Sequence, residues 1–273
     1  MSDPRPLRVP GTAPRPVDWP AEEPASRIDA AGATDRGHHR AKNEDAFAVI
    51  QLADREGVLL VVADGLGGAH GGEVASRMAV DVVVGELTRR PLPADRTLRL
   101  ALRRAVEAAG LALDETARQQ PELAAFGTTL TAALVTWPEA WIAHVGDSRA
   151  YLWRGGRLEQ LTRDHTMAER LREEGLVAPR QRVPSWESVL WNALGPSGEE
   201  TQLEERHERL EPGDRLLLCS DGLTRHLADD ELARRLAQRT ASQELAEELV
   251  AAANLAGGED NITAVVARAP AAR

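Results

Sequence analysis

The chain has 273 residues, a net charge of −10 at neutral pH, 42% apolar residues and 28% charged ones, enough for a substantial core in one large domain or two small ones. The acidity argues against nucleic-acid binding, which needs a basic surface to displace counterions, although a local arginine with bound cations can still receive an anion. One cysteine, Cys219, excludes an intrachain disulfide and a cysteine zinc cluster; with no apolar run of the roughly 18–20 residues that span a bilayer and no signal-peptide core at the start, a cytosolic protein without membrane contact is expected.

Residues 1–26 carry seven prolines and little hydrophobic periodicity, which reads as a disordered or extended tail; a proline-rich partner-binding segment is the less favoured alternative. From 27 to 268 the pattern is globular, and 269–273 form a short C-terminal tail. The first strand candidate is Val58–Ala63. Glu73–Arg89 reads as a helix with one apolar stripe through Val74, Met78, Val82 and Ala75, Ala79, Val83. Asp95–Gln119 reads as a second helix, with Leu98, Leu102, Ala105, Ala109 and Leu113 on one face and Asp95 as its cap.

Thr129–Thr136 and Trp141–Val145 follow as strands, and Ala150–Trp153 with Arg157–Leu161 form a hairpin across Gly155-Gly156. The segment 167–205 has prolines and no strong strand, so a helix-plus-loop insert is expected. Leu216–Cys219 is a strand, Asp230–Gln238 and Ser242–Leu255 are helices, and Ile262–Ala267 closes the series. Strands and helices come in separate blocks, which favours an α+β layered fold over a doubly wound parallel sheet.

Chemistry is concentrated where aspartates meet strand ends. Asp64 ends VLLVVAD, Asp147 follows WIAHVG, Asp221 ends LLLCSD, and Asp260 immediately precedes ITAVVA. Any one of them can serve as a turn former or helix cap; four together, three with an adjacent glycine, suggest a shared site. Clustered carboxylates repel one another unless cations compensate. Oxygen ligands without cysteine or paired histidine select Mg²⁺ or Mn²⁺, and two such ions can activate a water and clamp a phosphoryl group. Arg40, four and five residues before Glu44 and Asp45, offers a rigid donor fork that suits phosphate.

Six blocks in order carry a resemblance: RAKNEDAF (40–47), DGLGGAHGGEVAS (64–76), FGTTLTAAL (126–134), GDSRAYLWRGGRLEQLTRDHT (146–166), LLLCSDGL (216–223) and GEDNITAVV (258–266). In them the chain resembles the metal-dependent Ser/Thr protein phosphatase family of the 2C type, in its bacterial form. The resemblance implies a four-layer α-β-β-α sandwich, two antiparallel sheets packed face to face with flanking helices. It also implies hydrolysis of phosphoserine and phosphothreonine by direct attack of metal-activated water, with two Mn²⁺ or Mg²⁺ ions and a weak third.

By that resemblance Asp64 bridges the two metals, the Gly65 carbonyl serves one, and Asp221 and Asp260 serve the other. Arg40 binds the phosphate, making Arg40, Asp64 and Asp221 the catalytic set, while Glu44 and Asp45 support the metals and Asp147 serves the third. The insert 167–205 corresponds to the family's flap. Phosphoprotein substrates, a Ser/Thr kinase or its targets, and a monomeric state are the expected associations. The chain departs from the pattern at Arg225, where an acid usually helps hold the third metal, and at Leu66, where some members carry a histidine; His70 is a weak substitute.

Other readings fit less well. The Gly65–Gly72 cluster lacks the lysine of a phosphate-binding P-loop, Ser148 sits before a hairpin where a nucleophile elbow needs a helix, and Cys219 lies inside an apolar strand. A non-catalytic phosphoprotein-binding or scaffold domain of the same fold is the rival function, which loss of the metal aspartates would reveal.

Overall fold

The computed structural model describes residues 28–52, 57–67, 71–89, 91–92, 97–123, 125–178, 181, 183–196 and 201–270. The tail 1–26, His70 and Asp95 lie outside them. The first half runs β1 (Asp29–Asp35), β2 (Asp45–Gln51), β3 (Gly57–Leu66), α1 (Gly72–Thr88), α2 (Leu98–Gln119), β4 (Gly127–Thr128), β5 (Leu130–Thr136) and β6 (Glu139–Val145). The second runs β7 (Arg149–Arg154), β8 (Arg157–Gln160), α3 (Met167–Glu173), β9 (Glu204–Arg209), β10 (Arg215–Cys219), α4 (Asp221–Thr224), α5 (Asp229–Leu236), α6 (Ser242–Leu255) and β11 (Ile262–Arg268).

Two antiparallel sheets result, ordered β1-β11-β10-β7-β8 and β2-β3-β5-β6-β9, with β4 paired to β3. The unbroken apolar runs are explained by cover on both faces, because successive strand residues point to opposite sides. From β3, Val58, Leu60 and Val62 enter the core between the sheets, where they join Leu216 and Leu218 of β10 and Val265 and Ala267 of β11. Their neighbours Leu59, Val61 and Ala63 pack instead under α1 and α2. Leu217 and Cys219, with Ala264 and Val266, turn outward to meet Leu232 of α5 and Leu245 and Leu249 of α6. The layers are therefore helix pair, sheet, sheet, helix pair, the expected sandwich.

Several expectations shift in detail. In α1 the fully covered positions are Ala75, Ala79, Val80, Val83 and Leu87, and Val74 is exposed, because the stripe facing the sheet is narrower than the apolar one. Met78 faces α2, where Thr116 Oγ1 donates to its sulfur. The second helix starts at Leu98 with Thr97 at its N-cap. β1, β2 and β9 are further strands without a strong apolar signal; Glu204 and Glu205, at the end of the expected insert, already belong to β9. β9 is a sheet edge in which every residue of Glu204–Arg209 except His207 is charged, a composition that discourages further strand pairing. No helix among the described residues is long and apolar enough to cross a membrane.

A fully buried leucine between the sheets should cost roughly 2–5 kcal/mol on truncation to alanine, through lost transfer energy plus the residual cavity. Leu60→Ala should therefore lower the chemical-denaturation midpoint clearly. Leu255→Ala, at a site 90% exposed, should change stability by less than about 0.5 kcal/mol. Equal effects would place Leu60 outside the core.

Candidate metal centre

Both sheets deliver acids to one end of the sandwich. Asp45 opens β2 and is the register partner of Asp64 on β3. In the other sheet, β10 runs out through Ser220 into Asp221, the first residue of α4, and Asp260 lies just before its neighbour β11. Asp147 sits in the crossover from β6 to β7, where the chain passes from one sheet to the other.

Short-range bonds hold these acids in place. Asp45 Oδ2 accepts from Ser220 Oγ and Thr263 Oγ1, both at 2.7 Å, so this carboxylate ties the two sheets together. The Asp64 backbone N–H donates to Thr129 Oγ1 at 2.9 Å, and its carbonyl accepts from Thr128 Oγ1 and the Thr129 N–H, each at 2.9 Å. Asn261 clips the preceding loop down. Its Oδ1 accepts the Glu44 N–H and its Nδ2 donates to the Arg36 and Lys42 carbonyls, all at 2.8 Å. That clip brings Arg40 to Asp260, where Nη2 donates to Oδ2 at 2.8 Å.

Two glycines permit the approach of backbone to backbone. A Cβ on Gly65 would stand 2.1 Å from the Gly72 carbonyl oxygen, and one on Gly222 would stand 2.0 Å from that of Asn261. Only glycine fits at such separations. The Glu44 carboxyl lies against Gly72 at the start of α1, while its carbonyl accepts from Ser76 Oγ at 2.6 Å and the Gly65 N–H at 3.1 Å.

The electrostatics follow from this crowding. Burial holds Asp64 well above the usual carboxylate range, and the charges of Asp45, Asp221, Asp147 and Asp260 push it further. Asp147 is raised by burial, then by Asp221 and Asp164, against Arg225 and Arg149. Burial also raises Asp221, with Arg225 opposing. Asp45 is pushed up to about 7, again mainly by burial, despite its bonds to Thr263 and Ser220. Among the described residues Asp45 Oδ1 and Asp221 Oδ1 are buried without any hydrogen-bond partner. Partnerless oxygens in a desolvated cluster of like charge are what hard cations satisfy. The residues fit divalent ions.

The sequence matches the protein phosphatase 2C family over residues 34–257. The chain belongs to that family. Among its relatives are the serine/threonine phosphatase stp of Listeria monocytogenes, 34% identical over 85% of this chain and 92% of that protein, and PstP of Mycobacterium tuberculosis, 37% identical over 87% of this chain and 44% of that protein. The crystal structure of Mycobacterium tuberculosis PstP is similar, with a TM-score of 0.79, 36% identity, and cover of 89% of this chain and 98% of that one. A structure of the PstP catalytic domain in complex with two manganese ions gives 0.76 and 35%, covering 88% of this chain and 97% of that one. This member of the protein phosphatase 2C family is accordingly an enzyme, a protein phosphatase.

Every expected site residue of the phosphatase lies at this end of the sandwich. The sequence reading missed the polar residues that hold them. Ser220 is the polar residue between an apolar strand and Asp221, which is a usable signal; Thr263 has none. Behind Asp147, the buried His144 and His165 and the half-buried Glu204 place one ligand atom each within 4.8 Å of one another. His144 Nδ1 meets Thr131 Oγ1 and its Nε2 meets the Arg163 carbonyl, both at 2.9 Å. Burial and then His165 lower its pKa to about 4, so it is a neutral structural imidazole. His165 Nδ1 pairs with the Gly146 N–H at 3.1 Å and Asn192 Nδ2 at 2.8 Å. The residue before Asp147 is thereby connected to the 183–196 segment. Ser148 Oγ is buried at 2.7 Å from Thr129 Oγ1, a structural hydroxyl as expected.

Asp45 also sets a pH dependence for the chelated protein. Its folded pKa, about 7, lies above the unfolded value near 4, so the folded state holds the extra proton. The contribution to stability is complete below about 4 and lost as pH rises through about 7. With chelator present, the melting temperature should fall across that window, and Asp45→Asn should flatten the fall. A wild-type profile unchanged by this substitution would show that Asp45 is not the group responsible.

Proposed function

We propose that this protein phosphatase hydrolyses phosphoserine and phosphothreonine in proteins, using two Mn²⁺ or Mg²⁺ ions held between the ends of its two sheets. The observation that carries this reading is the set of desolvated acids from both sheets, with two buried carboxylate oxygens that have no hydrogen-bond partner among the described residues. The intact acid set and the named activity of the relatives leave no support for a non-catalytic scaffold.

In this reading Asp64, the Gly65 carbonyl, Asp221 and Asp260 hold the two ions, Glu44 and Asp45 support them, and Asp147 faces a weak third. When bound, such ions lower the pKa of a coordinated water and draw charge from phosphoryl oxygens. The chain supplies the remainder. Arg40, whose side chain is 49% exposed and anchored on Asp260, presents its fork to the phosphate. Asp45 keeps the two ligand-bearing sheets in register through Ser220 and Thr263. Neither Cys219 nor Ser148 is placed to compete with water as a nucleophile: burial pushes the Cys219 thiol up to about 12, and Ser148 is tied to Thr129.

The domain comprises 27–268, with the expected insert 167–205, less the β9 residues Glu204 and Glu205, as a flap beside the centre, 1–26 as an N-terminal tail and 269–273 as a C-terminal one. A Ser/Thr kinase or its targets are the proposed phosphoprotein partners of a cytoplasmic monomer. The acidic surface disfavours nucleic acid.

The direct test is turnover of phosphoserine, phosphothreonine and phosphotyrosine peptides with Mn²⁺, with and without chelator. Activity on the first two that chelator abolishes is expected; activity in excess chelator would sink the metal reading. Asp221→Asn should lower turnover by more than about 100-fold, beyond the usual effect of residues that merely support a ligand, with the circular-dichroism spectrum unchanged. Turnover at the wild-type rate would refute the ligand assignment.

A further inference from the structure

A second guanidinium reaches the acid cluster. Arg225 follows the short helix α4 four residues after Asp221, and that spacing carries its side chain back over the strand end. Its Nη2 donates to Asp221 Oδ2, and its Nη1 stands 3.5 Å from Asp260 Oδ2. Arg40 Nη2 donates to that same Asp260 oxygen. Both donor forks thus reach one carboxylate oxygen, Arg40 by a hydrogen bond and Arg225 by an ion pair. Neither is enclosed by its anchor: the side chains of Arg40 and Arg225 are 49% and 44% exposed. Arg225 also lines a cavity of about 640 Å³, along with Asp147, Asp221 and Thr224.

We propose that Arg225 is a second phosphate-binding arginine, which shares the phosphoryl oxygens of the substrate with Arg40. This rests on the phosphatase reading above. A phosphate monoester presents three terminal oxygens, and one guanidinium fork engages at most two of them bidentately. A neighbouring fork takes the remaining oxygen and complements charge that builds during transfer. It also offsets the field of an acid-rich centre, which otherwise repels an incoming dianion. The competing role for Arg225 is positional, as a clamp that only orients Asp221. The two roles differ in what they move: a clamp acts on metal affinity, a phosphate contact on anion affinity.

The experiment uses the full chain loaded with Mn²⁺ and its Arg225→Ala, Arg225→Lys and Arg40→Ala variants. Mn²⁺ affinity and stoichiometry are read by calorimetry, inorganic phosphate binding by calorimetry at saturating Mn²⁺, and KM with a phosphopeptide. For Arg225→Ala, phosphate Kd and KM should rise about tenfold or more, the loss expected for one charge-assisted contact. Mn²⁺ affinity should stay within about twofold by the same reasoning, with Arg225→Lys recovering part of the loss.

Weakened Mn²⁺ binding with normal phosphate Kd and KM at saturating metal would overturn the proposal in favour of the clamp. No change in either quantity, or no phosphate binding by the wild type, would also overturn it. Phosphate binding that depends on Arg225 without any Mn²⁺-dependent turnover would leave the contact standing and refute only the activity reading.

Discussion

The mutual repulsion of carboxylates at the seam between the two sheets is the constraint on which this protein depends. Asp45, Asp64, Asp147, Asp221 and Asp260 come from different strands and crossovers, and for the first four burial favours the neutral form. The fold assembles them anyway, because packing between the sheets and under both helix layers fixes every strand end independently of the charges. Core packing thus supplies the stability that an acid cluster by itself would remove.

The ties across the seam are few and polar. Asp45 bonds to Ser220 and Thr263 of the opposite sheet, and Asn261 satisfies three backbone groups of the loop that carries Arg40 and Glu44. These bonds are short and partly buried, where each is worth more than at the surface. They tie the relative position of the sheets to the spacing of the acids. Positive charge enters the cluster from within the chain at Arg40 and Arg225, both anchored on acids of the centre. An acidic protein can in this way present a locally cationic face to an anionic group.

Behind the centre, His144 and His165 form a buried packing layer with hydrogen bonds to its surroundings. Trp191 packs against His165 with its ring tilted by 47°, and Arg170 lies over that tryptophan. The crossover bearing Asp147 is in this way buttressed by the same residues that seat the 183–196 segment. Position of that segment and position of Asp147 are set by one network.

Much of the fold was legible in the sequence because it depends on local pattern. Continuous apolar runs of strand length, such as Val58–Ala63 and Leu216–Cys219, require cover on both faces, and helical stripes such as Leu98 through Leu113 supply it. Strands without such runs, Asp29–Asp35 and the charged Glu204–Arg209, escaped notice because their pairing comes from partners distant in the chain. The aspartates announced themselves by lying at strand ends, three of the four beside a glycine. What the linear chain could not decide was their company. That Asp45 meets Ser220 and Thr263, that His144 is a neutral packing group, and that Arg225 lies on Asp221 and near Asp260 beside Arg40 are outcomes of contacts between residues up to about 220 positions apart. Residue types and local spacing determine which strands and helices form and which side chains can do chemistry. Only the packing of one sheet on the other decides which of those side chains share a site, because that neighbourhood is created by long-range burial.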